Sequence, residues 1–330
     1  MLNPELKLNP NIFEEPEQKP IRDGYGDALL ELGEKNQNVV VLTADLAEST
    51  RAHKFAEKWP ERFIECGIAE QNMAGIAAGL AISGKIAFIS SYATFSPGKN
   101  WETIRTTIIY NDANVKIAGH HSGIVTGPDG ATHQATEDIA IMRCLPNIKV
   151  ISPCDYFEAK KATLYSAEVY GPFYIRFVRD KTPVITTEET PFRFGKIECF
   201  WQPKTEKAEI AIMATGHLVY QALLAAKELE EEGIDVYVFN VHTIKPLDEE
   251  KILEVASKVK GIVTVEDHQV QGGMGSAIAE FLVKTKPIRI EFIGLQNTFA
   301  ESGSMNDLIK KYGLDKEAIK KAVKNYCQSY

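Results

Sequence analysis

Short runs of Val, Ile and Leu alternate along most of this 330-residue chain with longer segments of helical spacing. The first such runs are NVVVLTAD (residues 38–45), KIAFISSY (85–92) and NVKIAGHHS (114–122). Strands that are apolar throughout are typical of a parallel sheet with helices on both faces. The alternation therefore predicts an α/β fold.

The alternation is interrupted once, and the interruption predicts two α/β domains. Residues 1–20 contain four prolines and several charges, which favours an arm outside the core. We expect a first parallel-sheet domain over residues 21–185, a Pro- and Glu-containing linker over 186–205, and a second parallel-sheet domain over 206–330.

Composition narrows the class of protein. The net charge of -8 argues against nucleic acid as a partner, because phosphate binding needs a basic face. Five cysteines without C-x-x-C spacing indicate a reducing compartment, with neither a disulfide framework nor a zinc site. The N-terminus lacks a signal pattern, and no apolar run has membrane-spanning length. We expect a cytoplasmic protein with no membrane partner.

One Gly-rich segment, GHHSGIVTGPDGATHQATED, has a concentration of polar side chains. It follows a predicted strand, and ligands of α/β sheets bind at the carboxyl ends of strands. Its spacing favours acid–base or phosphate-binding chemistry over zinc. The candidates are His120, His121, Asp129 and His133, which include three of the seven histidines in the chain.

The predicted helix that is richest in small residues begins with a carboxylate. The predicted helix starts at Ala69, and Glu70 precedes a run of Ala, Gly, Ile, Leu and Met. An acidic residue at this position is favoured by the helix dipole alone. Burial beside apolar residues would also favour a protonated carboxyl that can donate. Both interpretations are compatible with the sequence.

Three of these motifs in this order resemble the pyrimidine-binding domain of transketolase-type thiamine diphosphate enzymes. They are IECGIAEQNMAGIAAGLA (64–81), SSYATF (90–95) and GPDGATHQATEDIAIMR (127–143). Two later segments, IAIMATGHLVYQALLAAKEL (210–229) and VYVFNVHTIKPLD (236–248), resemble the C-terminal domain of the same superfamily. The resemblance covers nearly the whole chain after residue 20.

The resemblance implies roles for individual residues. Glu70 would contact N1′ of the cofactor's aminopyrimidine and activate the cofactor, and His121 and His133 would handle protons. Phe95 would stack on the pyrimidine, with Tyr92 in the same aromatic pocket. The sugar oxygens of the substrate would be bound by His121, Asp129 and His133. Its phosphate would be bound by Arg22, Thr43 and Arg179. Arg176 is the alternative to Arg179.

The family's diphosphate- and magnesium-binding domain, with its GDG motif, has no counterpart in this sequence. The resemblance therefore implies the C-terminal subunit of a split transketolase. Thiamine diphosphate and Mg²⁺ would be held partly or wholly by a separate N-terminal subunit, and this chain would supply no metal ligand. Self-association through both domains, in a two-plus-two assembly, and sugar phosphate substrates are also implied. The reaction would be ketol transfer in the pentose phosphate pathway.

Three alternatives stay open. 1-Deoxyxylulose-5-phosphate synthase shares two of the motifs, but we expect an Asp-Arg pair there in place of His120-His121. The beta subunit of a 2-oxo acid dehydrogenase has this size and domain order, but its counterpart of residues 127–134 generally lacks these Asp and His side chains. A non-catalytic binding protein that retains the fold is the third alternative.

Overall fold

The computed structural model describes residues 1–205 and 208–328, and within these ranges the strands form two large sheets and a small one. The strands, in chain order, are β1 (Gln18–Pro20), β2 (Val39–Thr43), β3 (Phe63–Glu65), β4 (Ile86–Tyr92), β5 (Val115–His120), β6 (Lys149–Ile151), β7 (Phe173–Arg176), β8 (Lys181–Pro183), β9 (Glu198–Trp201), β10 (Ile210–Ala214), β11 (Val236–Asn240), β12 (Thr243–Lys245), β13 (Gly261–Gln269) and β14 (Arg289–Leu295).

Helices alternate with these strands. The α-helices are α1 (Ile21–Lys35), α2 (His53–Lys58), α3 (Glu70–Ile82), α4 (Trp101–Thr103), α5 (Asp138–Arg143), α6 (Tyr156–Glu168), α7 (Val219–Glu231), α8 (Glu249–Lys258), α9 (Met274–Thr285), α10 (Met305–Lys311) and α11 (Lys316–Gln328). Short 3₁₀ segments occur at Pro4–Leu6, Pro60–Arg62, Ile124–Asp129 and Gly216–Leu218, and wider π-type turns at Thr94–Lys99 and Ile104–Ile109.

The N-terminal sheet has the strand order β12-β6-β7-β5-β4-β2-β3. Its strands are parallel except β12. Every residue of β2, β5 and β7 is buried, as expected for strands covered on both faces. The C-terminal sheet has the order β14-β13-β10-β11-β9 and is parallel except β9. The predicted fold of two parallel-rich α/β domains is confirmed.

One strand exchange joins the halves of the chain. β12 follows β11 in sequence but pairs antiparallel with β6 of the N-terminal sheet. β9 lies in the predicted linker and pairs with β11 of the C-terminal sheet, so the linker prediction is corrected over these residues. Each of two buried apolar clusters takes side chains from both halves. The domain boundaries themselves stay predictions.

The first 20 residues are not an arm outside the core, and that prediction was wrong. Leu6, Leu8 and Ile12 are buried in the same apolar cluster as both sheets. The Asn3 N–H donates to the Phe200 carbonyl at 3.0 Å, and β1 pairs antiparallel with β8. Prolines break regular structure without preventing burial, so composition alone was a poor guide to packing here.

Helix α1 is held close to α6 because it has no side chain at Gly24. A Cβ at this position would lie 2.2 Å from the Tyr156 carbonyl oxygen, so only glycine permits the contact. This packing fixes the start of α1 and therefore the position of Arg22. Within the described ranges, no helix combines the length and apolar character that crossing a bilayer requires.

Truncating Ile12 to alanine tests the burial of the N-terminal segment. The side chain is fully buried, so the unfolding free energy is expected to fall by about 2–4 kcal/mol through lost burial and a residual cavity. The measurement is guanidinium unfolding of the full chain. Glu15→Ala, at an exposed position of the same segment, is the control and should change stability by less than about 0.5 kcal/mol. Equal effects of the two changes would contradict the packing described.

Candidate active site

The candidate residues gather at one edge of the N-terminal sheet because its parallel strands end there. β4 ends at Tyr92 and β5 at His120, with His121 next in the chain. Arg179 follows the end of β7, and Arg22 is in the first turn of α1. This edge is where open α/β sheets bind ligands.

An aromatic and histidine cluster forms the floor of the site. Tyr92 stacks on His121 with ring centroids 3.8 Å apart and planes at 22°. Phe95 lies parallel to Tyr92 at 5.9 Å, and the His133 ring meets Phe95 edge-on at 5.5 Å. The sequence therefore brings four predicted site residues together, although they are spread over more than forty positions of the chain.

His121 is held neutral. Its side chain is 1% exposed, its backbone is left-handed at φ 54°, and its Nε2 lies 3.5 Å from the Arg22 guanidinium. Burial first, and then the charges of Arg22 and Arg179, lower the pKa of His121 to about 2. A guanidinium facing Nε2 places the ring proton on Nδ1. Burial and neighbouring positive charge thus both oppose protonation of His121, for which the resemblance implied a role in handling protons.

His120 lies behind the site, in the core. It is fully buried between Tyr25, at 5.0 Å, and Phe177, which stacks on it at 4.9 Å. Desolvation lowers its pKa far below the ordinary value. The adjacent histidines therefore have different environments, because successive residues after a strand point to different sides.

Glu70 begins helix α3 and is 2% exposed. Its Oε2 accepts a hydrogen bond from Lys99 Nζ at 2.7 Å, and its backbone carbonyl accepts from Asn100 Nδ2 at 3.0 Å. Lys99 was absent from the sequence prediction. The one feature of the sequence that could have pointed to Lys99 is its position four residues after Phe95, in the same turn.

Guanidinium groups lie close to His121 of the cluster. Arg22 Nη1 donates to the Ser49 carbonyl at 2.8 Å, while Arg179 Nη1 donates to Asp129 Oδ1 at 3.3 Å. Burial and the nearby charge of Arg51 lower the pKa of Arg22. Arg51, which the sequence prediction missed, pairs with Asp23 at 2.5 Å. Arg51 and Arg179 each pair with a carboxylate, while the hydrogen bond of Arg22 goes to a carbonyl oxygen, so the Arg22 charge is suited to meeting an anion.

Arg176 and Thr43 are engaged inside the protein. Arg176 is 3% exposed, and its Nε donates to Asp138 Oδ2 at 2.8 Å. Thr43 is fully buried and its hydroxyl donates to the Ser90 carbonyl at 3.1 Å. Both side chains are enclosed and bonded within the protein, whereas Arg179 is partly exposed, so Arg179 is the more accessible of the two candidate arginines.

His133 and Asp129 are two of the accessible polar groups of the Gly-rich loop. His133 is half-buried and its Nδ1 lies 2.8 Å from the Thr132 hydroxyl, while Asp129 is exposed beside Arg179. In the part of the chain that the structure describes, no group of three His, Cys, Asp or Glu side chains could hold a metal ion. The Gly-rich loop therefore offers hydrogen-bonding groups for a polar ligand.

Family models match both halves of the chain. Residues 17–184 match the transketolase pyrimidine-binding domain, and residues 201–319 match the transketolase C-terminal domain. The chain therefore belongs to the transketolase family, as a C-terminal transketolase-type subunit.

Relatives of similar length support this assignment. The chain is 45% identical to a protein of Methanocaldococcus jannaschii, provisionally named a transketolase C-terminal section, over 92% of this chain and 95% of that protein. It is 38% identical to a 6-deoxy-6-sulfo-D-fructose transketolase subunit of a Clostridium species, over 93% and 94% of the two chains. A 1-deoxy-D-xylulose-5-phosphate synthase of Caldanaerobacter subterraneus is also 38% identical, over 90% of this chain but 47% of that enzyme.

A solved structure matches both domains together. A split-gene transketolase, described as an inactive beta4 tetramer, superposes with a TM-score of 0.84 at 40% identity. The match covers 94% of this chain and 98% of that one. The agreement extends to the arrangement of the two domains, because the alignment spans nearly the whole of both chains.

Because the folded protein keeps His121 neutral, we predict that His121 does not become protonated near neutral pH. The His121 ring resonances should show no protonation step between pH 8 and pH 5 in NMR spectra of the full chain, with His121→Gln used for assignment. The folded pKa of about 2 lies below the unfolded value of about 6.5, so the unfolded state takes up the proton first. The part of the unfolding free energy that depends on a neutral His121 is therefore complete above pH 6.5. It declines at lower pH, by at most about 1.4 kcal/mol per pH unit. A His121 midpoint between pH 6 and pH 7 would contradict the assignment.

Proposed function

We propose that this chain is the C-terminal subunit of a two-subunit transketolase, active only with a separate N-terminal subunit. The complex moves a two-carbon ketol unit from a ketose phosphate to an aldose phosphate, with thiamine diphosphate between the subunits. The observation that carries the proposal is the buried Glu70 carboxyl, which is bonded to the same turn, Thr94–Lys99, that supplies Phe95 to the aromatic cluster. The similarity to split-gene and two-subunit transketolases supports it.

The residues present fit one end of the cofactor. Glu70 offers a buried carboxyl to a pyrimidine nitrogen, and Phe95, in the turn bonded to Glu70, offers an aromatic ring for stacking. No metal-binding group occurs in the described part of the chain, so we assign the diphosphate and Mg²⁺ to the N-terminal subunit. When bound, thiamine diphosphate supplies the nucleophilic carbon for ketol transfer, and the protein supplies orientation, proton placement and exclusion of water.

Substrate binding is assigned to the arginines near His121 and to the Gly-rich loop. Arg22 and Arg179 bind the distal phosphate, for which guanidinium groups have suitable geometry. Asp129 accepts hydrogen bonds from sugar hydroxyls, and His121 donates from Nδ1 to a substrate oxygen while remaining neutral. His133 is half-buried beside an accessible hydroxyl and is the histidine we assign to proton transfer.

The exposed face of α3 is the surface we assign to the partner chains. A Cβ at Gly75 or Gly79 would meet nothing within 4 Å, so another backbone could approach closely. Ile68 and Ile82, at the two ends of the helix, are 75% and 70% exposed. Glu70 lies on this helix, and a partner docked here would help to close the site. Two copies of each subunit would form the complete assembly.

The second candidate is a 1-deoxyxylulose-5-phosphate synthase-like activity, which the 38% identity to such an enzyme favours. The two reactions begin with different donors, a ketose phosphate and a 2-oxo acid. The deciding assay supplies thiamine diphosphate and Mg²⁺ to this chain, alone and with the N-terminal subunit, using xylulose 5-phosphate and ribose 5-phosphate. Ketol transfer only in the mixture supports the proposal. Failure with these sugars, followed by turnover of 2-oxo acids, would favour the second candidate or a dehydrogenase subunit.

Glu70→Gln should reduce ketol transfer by about 100-fold or more while leaving the fold and subunit association intact, because the amide is nearly isosteric but cannot exchange a proton. Turnover at saturating cofactor and size-exclusion chromatography with the N-terminal subunit measure the two effects. Near-normal activity would show that Glu70 does not activate the cofactor.

Arg179→Ala should raise the KM for a phosphorylated sugar by about 10- to 100-fold, the loss expected for a charge-assisted hydrogen bond. The same sugar without its phosphate should be affected little. Lys181→Ala, two residues further along the chain, also removes one positive charge and is the matched control. Equal losses on both substrates would remove Arg179 from the phosphate site.

A further inference from the structure

The carboxylate assigned to the cofactor already has a partner within this chain. Lys99 Nζ lies 2.7 Å from Glu70 Oε2, while the two side chains are 45% and 3% exposed. The half-exposed Lys99 ammonium therefore contacts the enclosed Glu70 carboxylate from the solvent side.

The segment that carries Lys99 also carries Phe95. The turn Thr94–Lys99 ends at Lys99, and the following Asn100 donates through Nδ2 to the Glu70 carbonyl and to Ser96 Oγ at 3.2 Å. The backbone of this turn is thus anchored to the first residue of α3 by Asn100. Lys99 adds a second contact to the same residue, but through a long side chain that can rotate without moving the turn.

The contact has a physical reason in the free subunit. An enclosed carboxylate without a partner carries a large desolvation cost, which an ammonium at hydrogen-bond distance offsets. The N-terminus of α3 also favours negative charge at this position. The same contact opposes the proposed role of Glu70, because the oxygen that binds Lys99 cannot also bind a pyrimidine nitrogen in the same direction.

We propose that Lys99 is a displaceable counter-ion of Glu70, which pairs with the carboxylate when the cofactor is absent and moves into solvent when the pyrimidine end of the cofactor binds. The inference rests on the proposed function of Glu70. Its consequence is that Lys99 weakens cofactor binding in exchange for a stable free subunit. Lys99 is then a positioning residue that acts through Glu70.

The first experiment is calorimetric titration of thiamine diphosphate, at saturating Mg²⁺, into the complex of this chain with the N-terminal subunit. Lys99→Met should lower the cofactor's dissociation constant by about fivefold, because cofactor binding then no longer has to break the partly exposed Lys99–Glu70 ion pair. Lys99→Arg, which keeps the pair, should not lower it. Lys85→Met, at a partly exposed lysine bonded to Asn38, is the control for lost charge.

A dissociation constant for Lys99→Met that is unchanged, raised or equal to that of Lys85→Met would overturn the proposal. If the wild-type complex binds no thiamine diphosphate, the proposed function fails first and this inference with it. If the wild-type complex binds the cofactor and transfers ketol units normally, and Lys99→Met leaves the dissociation constant unchanged, only the role of Lys99 is rejected.

A second measurement needs no cofactor or partner. In the full chain alone, Lys99→Met should lower the melting temperature by roughly 1–3 °C in the wild-type background. The same change in a Glu70→Gln background should have little effect, because the carboxylate it pairs with is gone. An equal effect in both backgrounds would show that Lys99 does not act through Glu70 and would overturn the proposal.

Discussion

The site edge of this protein depends on one buried ion pair between Arg176 and Asp138. Arg176 lies at the end of β7 and donates from Nε to Asp138 Oδ2 at 2.8 Å, and from Nη2 to the Asp267 carbonyl at 2.7 Å. Burial opposes its charge, but Asp138 and Asp267 together raise the pKa of Arg176 above its ordinary value. The Tyr174 hydroxyl donates to the same Asp138 oxygen at 2.6 Å. One guanidinium thus joins the N-terminal sheet, the start of α5 and strand β13 of the C-terminal sheet.

The same junction fixes the loop that carries the sugar-binding candidates. Asp267 accepts from the Ile124 N–H at 3.0 Å and lies 3.0 Å from His217 Nε2. Burial opposes ionisation of Asp267, yet the hydrogen bond from His217 and the charge of Arg176 lower its pKa. A Cβ at Gly123 would lie 2.0 Å from Asp267, and the φ of 75° there also requires glycine. The second domain therefore positions the loop of the first, which explains why the two domains share buried clusters.

The sequence was informative where structure is local and failed where it depends on distant pairing. Strands β2, β4 and β5 were predictable because each is a continuous apolar run. Strands β9 and β12 were missed, since each is short and antiparallel and is defined by a partner far away in the chain.

A similar division holds within the site. The resemblance led to Phe95 and His133, whose rings are 5.5 Å apart, and to Glu70, which is bonded to the turn that contains Phe95. It could not distinguish the buried Thr43 from an accessible hydroxyl, because burial is a property of the assembled sheet. Nor could it reveal Lys99, whose relation to Glu70 arises from the turn that joins them and not from their separation of 29 residues.

The charges that suit this site to an anion also limit which of its groups can move protons. Arg22 and Arg179 lie close enough to His121 to oppose a positive charge on its ring, and burial opposes it further. A phosphate bound between the two arginines would relieve part of the charge but none of the burial. His121 is therefore suited to donating a hydrogen bond from a fixed tautomer, with its orientation set by the stacked Tyr92. In the reaction we propose, proton transfer would fall to His133, the half-buried histidine of the loop, and phosphate recognition to the two arginines, so the two tasks would be separated within one site.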